Sequence, residues 1–548
     1  SCNQLRSCSI RADSYFFISL HCQWKCVVSG MEHAGLFEWN SGAAEVTQCF
    51  LKRKLLSLLL NHPNHYSMPK RYNPQSVPVP ARSSVVQIGE TVAKQALLFF
   101  FCLLSVLFSN AQNSDSIMIR RIFEQALTKG EAYKNLEVLC RDYGKRLSGS
   151  PGAAGAVAYT KKLMEAYGFD SVWLQPMMVP HWVRGDQEMS FYINSKSEKK
   201  PLTICALGNS IGTEMIGLQA RVIEVKNFKE LDSLGRKQVE GKIVFFNHPM
   251  DQSKIWTFEA YGEAVEYRWA GAVNAAKYGA VGVMVRSVAT SLDDYPHTGT
   301  MQYIDSIPKI PACAVSTLDA EELSAQLKLD TSIRVFFRQN CEMLPDVPSF
   351  NVIGEIFGTE APKEFISVGG HLDAWETGTG AHDDGSGVMQ SIEVLWLFKT
   401  LGIRPKHTIR AVMFMNEENG GRGGKKYADD AKAKGEKHLF ALESDAGGFD
   451  PRGFSFEGDS SAIEKVKSWL PLLLPYGVHS LERGGSGADI GHLEGYCKLL
   501  SGLRPDPQRY FDYHHAGSDT FDKVNRRELE MSAAAMAALI YLVDKYGL

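Results

Sequence analysis

The sequence predicts an α/β fold with a functional site at one edge of its sheet. Three predicted buried strands support this prediction. The apolar segments Glu364–Gly370, His407–Met415 and Leu439–Leu442 have the length and the β-branched or aromatic content of buried strands. Histidine or carboxylate side chains follow each of them closely. Since open α/β sheets bind ligands beyond the carboxyl ends of their strands, these side chains are expected to meet at one edge of the sheet.

Four short motifs supply those polar side chains. The motifs contain, in chain order, His371, Asp373, Asp383 and Asp384, then Glu417 and Glu418, then Asp445, and finally His514 and His515. Together they offer at least two histidines and at least three carboxylates, which is enough nitrogen and oxygen for two zinc ions. Taken alone, a histidine beside an aspartate is ordinarily a surface or capping pair, and an acidic doublet is ordinarily solvated. Surface acids scattered along a chain, however, would not come after one buried strand and then after the next.

The chemistry of a paired zinc site explains why this set of groups is needed. Two zinc ions a few ångströms apart can share one hydroxide, lower the pKa of its parent water and polarise a scissile carbonyl. A further carboxylate, which is not a ligand, must take the proton from the water and pass it to the leaving amine. The adjacent Glu417 and Glu418 suit these two tasks, because neighbouring residues beyond a strand point in different directions. The residues alone do not assign the tasks.

In this order and spacing, the four motifs resemble those of the di-zinc exopeptidases of the bacterial leucyl aminopeptidase and carboxypeptidase Q type. The carboxypeptidase Q branch is nearest, and the resemblance covers roughly residues 117 to 548. It implies a three-layer α/β/α peptidase domain with a mixed central sheet, and an inserted strand-rich protease-associated domain. The implied cofactor is two Zn²⁺ per chain, and the implied substrate is a peptide.

The resemblance also implies roles for individual residues. Its five zinc ligands correspond here to His371, Asp383, Glu418, Asp445 and His515. Asp383 would bridge both ions, and Glu418 would complete one of the two sites. Glu417 would be the general base, and the carboxylate of Asp373 would lie behind His371 and hold its imidazole in the metal-binding tautomer.

His514 and His515 are adjacent, and the family pattern implies which of them is the metal ligand. It places the ligand four residues before the Asp519-Thr520 pair, which selects His515 over His514. His382 immediately precedes Asp383 and is expected to face away from the metals. The resemblance adds that the Asp383–Asp384 peptide bond is cis.

Composition excludes several other classes of protein. The 548 residues are 44% hydrophobic and carry a net charge of −3, so there is room for two or three cores and no basic excess for nucleic acid. The eleven cysteines form no C-x-x-C pair, so neither a thiolate zinc site nor a dense disulfide framework is indicated. The absence of an H-E-x-x-H motif removes a single-zinc helical protease. Ser486 is not in a G-x-S-x-G motif, because Ala488 occupies the final position, so a serine hydrolase is only weakly supported.

The N-terminal part predicts export. Residues 1–93 have erratic composition and no sustained period, and they are expected to be a disordered or spurious upstream segment. Residues 94–111 contain the apolar stretch Ala96–Phe108 followed by Ser109-Asn110-Ala111, which is typical of a secretory signal cleaved after Ala111. The stretch is too short to span a bilayer comfortably, so no stable membrane span is expected after cleavage. The protein is therefore expected to be secreted or periplasmic.

The remaining chain divides into three parts. Residues 112–200 are expected to form the first part of the peptidase domain, and residues 341–548 its catalytic part. Residues 201–340 change to strand-rich sequence, with strands predicted at Ala220–Val225, Gly241–Phe246 and Ala280–Val285. This part resembles a protease-associated domain, whose usual role is to shape or cover the substrate cleft.

Three functions remain open at this stage. The first is a secreted di-zinc metallo-exopeptidase for dipeptides or short peptides, acting as an aminopeptidase or as a dipeptidase-type carboxypeptidase. The second is a glutaminyl-cyclase-like acyltransferase with a single zinc ion, and the third is a non-catalytic binding protein on a peptidase scaffold. The intact ligand set favours the first, while homodimer formation is left open.

Overall fold

The structure is a computed structural model, and it describes residues 114–548. The predicted upstream segment and the predicted signal segment lie outside these residues. Within residues 114–548, none of the helices combines the length and the apolar character that a membrane crossing needs.

The described residues form two eight-stranded sheets. In chain order the strands are β1 (Ser171–Val183), β2 (Glu188–Ile193), β3 (Lys199–Leu202), β4 (Ile204–Ala206), β5 (Leu218–Val225), β6 (Ile243–Phe246), β7 (Gly282–Arg286), β8 (Ala312–Val315), β9 (Arg334–Gln339), β10 (Glu342–Ile356), β11 (Ala361–His371), β12 (His407–Phe414), β13 (Lys437–Glu443), β14 (Pro451–Gly458), β15 (Ser480–Arg483) and β16 (Leu499–Pro505).

Helices connect and cover the strands. Residues 114–129 are helical, and the further α-helices are Ala132–Tyr143, Pro151–Ala166, Phe228–Val239, Thr257–Lys277, Thr317–Leu329, Ser386–Leu401, Arg422–Lys434, Ser460–Lys467, Leu470–Leu473, Tyr510–Tyr513 and Arg526–Tyr546. Short turns of other helix types lie at Ala381–Gly385, Leu474–Tyr476, Ile490–Leu493 and Phe521–Lys523.

The first sheet is mixed, with the order β1-β10-β12-β11-β13-β16-β14-β15. Its central strands β12, β11 and β13 are neighbours and run parallel, whereas β10 pairs with β12 in the antiparallel direction. The three predicted strands are confirmed. Because they are parallel, the residues after their carboxyl ends reach the same edge of the sheet.

Strand β12 shows why this sheet is covered on both faces. Ile409, Ala411 and Met413 belong to one apolar cluster, together with the helix Ser386–Leu401. The alternate residues Val412 and Phe414 belong to a second cluster. That second cluster includes the helix Arg422–Lys434, because successive side chains of a strand point to opposite faces. The result is the predicted three-layer α/β/α arrangement.

The helix Ser386–Leu401 sets the position of the first polar motif. It starts directly after the turn that carries Asp383, and it ends at Gly402, whose φ of 67° is one that glycine adopts readily. Nearly all of its side chains are buried between the sheet and the helix Arg526–Tyr546. Phe398 is fully buried. Replacing it by alanine would cost about 3–5 kcal/mol.

The second sheet, with the order β3-β2-β9-β5-β6-β7-β8-β4, lies between Glu188 and Gln339 in sequence. Its inner strands β5 to β8 are parallel to one another. The helix Thr257–Lys277 covers one face and the helix Thr317–Leu329 covers the other. The three strands predicted in this region are present. Its identity as a protease-associated domain and the boundaries at residues 201 and 340 remain predictions.

Candidate metal centre

The polar residues of the four motifs meet at the carboxyl edge of the first sheet. His371 is the last residue of β11, and its Nε2 lies 3.1 Å from Asp383 Oδ1 and 3.5 Å from Asp445 Oδ1. These three side chains form one group whose ligand atoms lie close enough to hold a metal ion. Burial lowers the pKa of His371, but the carboxylates of Asp445 and Asp383 outweigh it and raise that pKa well above its ordinary value.

A second group shares Asp383 with the first. The Nε2 of His515 lies 3.2 Å from Asp383 Oδ2 and 3.1 Å from Glu418 Oε2. Burial lowers the pKa of His515, whereas Glu418 and Asp383 raise it to about 9. Asp383 therefore joins two clusters, and each cluster contains one histidine and one further carboxylate.

The turn before the helix Ser386–Leu401 is fixed by a residue from the far end of the chain. Asp519 accepts hydrogen bonds from the backbone N–H groups of His382 and Asp383, at 2.8 and 3.1 Å. The Asp383–Asp384 peptide bond is cis, as the resemblance implies. The carboxylate of Asp384 faces away from the cluster and accepts from the backbone N–H of His371 at 3.0 Å.

Asp373 contacts His371 in a different way from the one expected. The Nδ1 of His371 lies 2.9 Å from the backbone carbonyl oxygen of Asp373, not from its carboxylate. The carboxylate instead accepts from the backbone N–H groups of Asn416 and Glu417, at 2.7 and 3.1 Å. The expected carboxylate contact is thus corrected to a carbonyl contact. Asp373 still fixes the ring, and its carboxylate additionally holds the loop after β12.

The glutamate doublet after β12 points in two directions. Glu418 is buried and contacts His515, as described above. Glu417 is half-buried, and among residues 114–548 no histidine or cation forms an ion pair with its carboxylate. Burial raises the pKa of Glu417 well above its ordinary value, with His371 acting in the opposite direction.

The adjacent His514 and His515 both reach the cluster. The Nε2 of His514 lies 3.8 Å from Asp383 Oδ2, and its ring stacks on that of His515 with centroids 3.6 Å apart. The ligand atoms of Asp383, His514 and His515 therefore also lie close enough together to hold a metal ion. His515 is nevertheless closer to Asp383, and of the two it is the one that contacts Glu418.

His382 takes no part in either cluster. Its ring stacks on Phe449, with centroids 4.3 Å apart, and its Nδ1 accepts from the backbone N–H of Gly448. Burial lowers the pKa of His382 to about 3. The expectation that this side chain faces away from the site agrees with these contacts.

Residues from the region of the second sheet also contact His515 and its loop. Thr298 donates its backbone N–H to the His515 carbonyl at 3.0 Å, and its own carbonyl lies 3.3 Å from His515 Nδ1. His297 forms an antiparallel bridge with Ala516. The guanidinium group of Arg268 lies 3.2 Å from the same Nδ1. No sequence pattern predicted these contacts, because Arg268, His297 and Thr298 lie far from the four motifs in the chain.

Comparison with known proteins shows which family contains this arrangement. The family model described as Peptidase family M28 matches residues 351–540. Carboxypeptidase Q of Bos taurus is 36% identical over 415 residues, which cover 76% of this chain and 85% of the relative.

Two solved structures share the fold. A Peptidase M28 precursor from Shewanella amazonensis SB2B has a TM-score of 0.76 at 31% identity, and the match covers 80% of this chain and 98% of that one. BSAP, a zinc aminopeptidase from Bacillus subtilis, has a TM-score of 0.55 at 18% identity over 76% of this chain and 96% of that one, which shows the fold alone. Since the family match spans all four motifs, and since a 36% identical relative aligns over 76% of the chain, this chain belongs to peptidase family M28.

Proposed function

We propose that this chain is a di-zinc metallo-exopeptidase that hydrolyses dipeptides or short peptides, with Glu417 as general base. The observation that supports this most directly is the position of Asp383 between His371 and His515. A carboxylate with one oxygen toward each of two histidines is the geometry that a bridging ligand needs. His371 and Asp445 would hold one ion, and His515 and Glu418 the other.

An unpaired oxygen in the cluster fits such a pair of cations. Glu418 Oε1 is buried, and among residues 114–548 it has no hydrogen-bond partner. Leaving a buried carboxylate oxygen unpaired is costly, and coordination by a metal ion would offset that cost. Two histidine nitrogens and three carboxylates are also the donor types that zinc prefers.

The proposed mechanism assigns separate tasks to the two glutamates. A zinc pair would supply a more acidic water and a polarised scissile carbonyl. Glu417, which forms no ion pair with the histidines among the described residues, is free to take the proton from that water and deliver it to the leaving amine. Glu418 stays in the cluster as a ligand, and the carbonyl of Asp373 holds Nδ1 of His371 so that Nε2 faces the metal.

Residues near the second sheet support a preference for short substrates. Tyr261 and Arg268 from the helix Thr257–Lys277 lie beside His514 and His515, with ring centroids of Tyr261 and His514 5.2 Å apart. A wall this close to the metal ligands leaves limited room for a long chain. We propose that this part of the protein covers the substrate cleft.

Metal content and a peptide panel test the proposal together. The purified chain should contain two zinc ions, and it should hydrolyse dipeptides or aminoacyl anilides but not peptides blocked at both ends. One zinc ion with cyclisation of N-terminal glutamine would instead support the glutaminyl-cyclase-like alternative. A chain that holds no zinc and hydrolyses no peptide would support a binding protein.

Export is proposed separately, because its signal lies outside the described residues. If residues 94–111 are a cleaved signal, the mature chain should begin at Gln112. Mass spectrometry of the exported protein would check this, and recovery of peptides from residues 40–90 would contradict it.

A further inference from the structure

A cavity of about 280 Å³ opens beside the metal cluster. Asp445 forms part of its wall, so the cavity is continuous with one of the two proposed metal sites. Trp256 and Phe258, whose rings stack 5.4 Å apart, contribute an aromatic surface, and the glycine-rich segment 485–487 forms another side. This volume is of the size that a single amino-acid side chain or a small peptide end can fill.

Arg504 is the one basic residue among those that line the cavity. It lies on β16, and its guanidinium carbon stands 4.7 Å from the centroid of the Trp256 ring. Among residues 114–548, no carboxylate forms an ion pair with it, and burial lowers its pKa with no acidic neighbour to raise it. A partly buried guanidinium without an acidic partner is costly, and a carboxylate that arrives with the ligand would offset this cost.

The two carboxylates in the cavity wall are already engaged elsewhere. Glu443 accepts backbone N–H groups from Asp489 and Ile490, at 3.3 and 2.8 Å. Asp445 points its Oδ1 to His371. Neither therefore neutralises Arg504, and stacking on Trp256 leaves the N–H edge of the guanidinium available for two parallel hydrogen bonds to a carboxylate.

We propose that Arg504 binds a carboxylate group of the peptide substrate in this cavity. The group is the α-carboxylate of a dipeptide or the side-chain carboxylate of an acidic residue, and both present the same planar anion to the guanidinium. This inference rests on the proposed peptidase function, because Asp445 connects the cavity to the reacting centre. It adds a substrate class, namely peptides with a carboxylate close to the scissile bond.

Arg504→Gln tests the proposal in the zinc-loaded chain with two pairs of peptides. Glu-Ala and Gln-Ala differ in the side-chain carboxylate, while Ala-Ala and Ala-Ala-amide differ in the α-carboxylate. Loss of a charged hydrogen-bonded pair should lower kcat/KM by about 10- to 100-fold for the carboxylate-bearing peptides only. If Glu-Ala alone is affected, the side chain is the ligand. If every peptide except the amide is affected, the α-carboxylate is the ligand.

Two further variants separate binding from folding and from net charge. Arg483→Gln removes the same charge from an exposed arginine on β15, a strand that β14 separates from β16, and it should leave all four kcat/KM values unchanged. Arg504→Lys keeps the charge but not the two-pronged geometry, so its loss should be smaller than that of the glutamine variant. An equal effect of Arg504→Gln on all four peptides, or no effect on any, would overturn the proposal.

Calorimetry keeps this test independent of activity. L-Glutamate against L-glutamine, and L-alanine against L-alaninamide, are titrated into the wild-type and Arg504→Gln chains. The variant should lose affinity for the carboxylate member of at least one pair. If wild type hydrolyses no peptide, the proposed function fails, and these titrations still decide whether Arg504 binds carboxylates.

Discussion

Asp383 presents one carboxylate oxygen to each of two histidines: Oδ1 lies 3.1 Å from His371 Nε2, and Oδ2 lies 3.2 Å from His515 Nε2. The two histidines belong to segments far apart in the chain, and Asp383 is the group that both of them contact. Two independent metal sites would not need one carboxylate with an oxygen atom directed to each of them.

The first prediction concerns this shared carboxylate. Asp383→Ala should abolish activity and the tight binding of both metals, because two cations would lose the anion between them. The measurements are the zinc content per chain, by elemental mass spectrometry, and the rate of hydrolysis of a dipeptide. Two retained zinc ions with near-normal turnover would reject a bridging role.

The glutamate doublet gives the second prediction. Glu417→Gln should keep both metals while turnover falls by about 10²- to 10⁴-fold, the usual contribution of general acid–base catalysis. Glu418→Gln should weaken zinc binding instead, since Glu418 is the member of the pair that contacts His515. Metal analysis beside kinetics on both variants checks this, and the opposite pattern would mean that the two roles are exchanged.

The adjacent histidines give the third prediction. His515→Gln should lose zinc, whereas His514→Gln should retain it, because His515 is nearer to Asp383 and also contacts Glu418. The two variants are a matched pair, since their rings stack on one another and either change disturbs the same packing. Equal zinc loss from both would show that both rings bind.

A buried carboxylate pair away from the site gives a prediction about pH. Burial raises the pKa of Glu530 to about 7, and burial together with Glu530 raises that of Glu393 well above its ordinary value. An acid whose folded-state pKa is raised stabilises the protein less as pH rises from its unfolded pKa through the folded value. Glu530→Gln should therefore raise the melting temperature at pH 8, by roughly 1 °C for each kcal/mol gained in a folded chain of this length.

This gain should shrink as pH falls toward about 5, because the wild-type carboxyl is then protonated as well. The glutamine oxygen can still accept the backbone N–H of Tyr133, which Glu530 accepts at 3.2 Å. Thermal melts of both proteins from pH 5 to 8 make the comparison. A loss of stability that is the same at every pH would refute the assigned cause.

A glycine behind His515 gives the last prediction. A Cβ at Gly299 would lie 2.6 Å from His515 Nδ1 and 2.5 Å from Arg268 Cζ, so Gly299→Ala should displace the imidazole. Changes to groups that support a metal ligand typically lower affinity by about 10- to 100-fold, which a chelator competition would measure. Gly262→Ala is the control, because its Cβ would meet nothing within 4 Å. Unchanged zinc affinity in Gly299→Ala would contradict this role.

Local patterns allowed much of this structure to be predicted. The strand ending at His371 and the one before Glu417 follow from apolar runs bounded by polar residues, and such runs are visible in a short stretch of sequence. The parallel arrangement of these strands then brings their ends together. Arg504 and Asp519 were not predicted as parts of the site, because each acts on segments that only the folded chain brings near.

Thr298 shows the same limit more sharply. It meets the ring of His515 across a separation of 217 residues, and no spacing rule connects them. The expected contact between the Asp373 carboxylate and His371 was wrong for a related reason. A sequence shows which residue lies beside a histidine, but not whether its carboxylate or its carbonyl faces the ring.

The backbone bridge between His297 and Ala516 has a thermodynamic consequence. A segment that pairs with the loop of a metal ligand is stabilised whenever that loop is stabilised, so the free energy of zinc binding is shared with the region around residues 297–300. Removing zinc with a chelator should then speed amide hydrogen exchange there as well as in the loop itself. Binding of the metal would in this way stabilise the segment around residues 297–300 as well as the loop that carries His515.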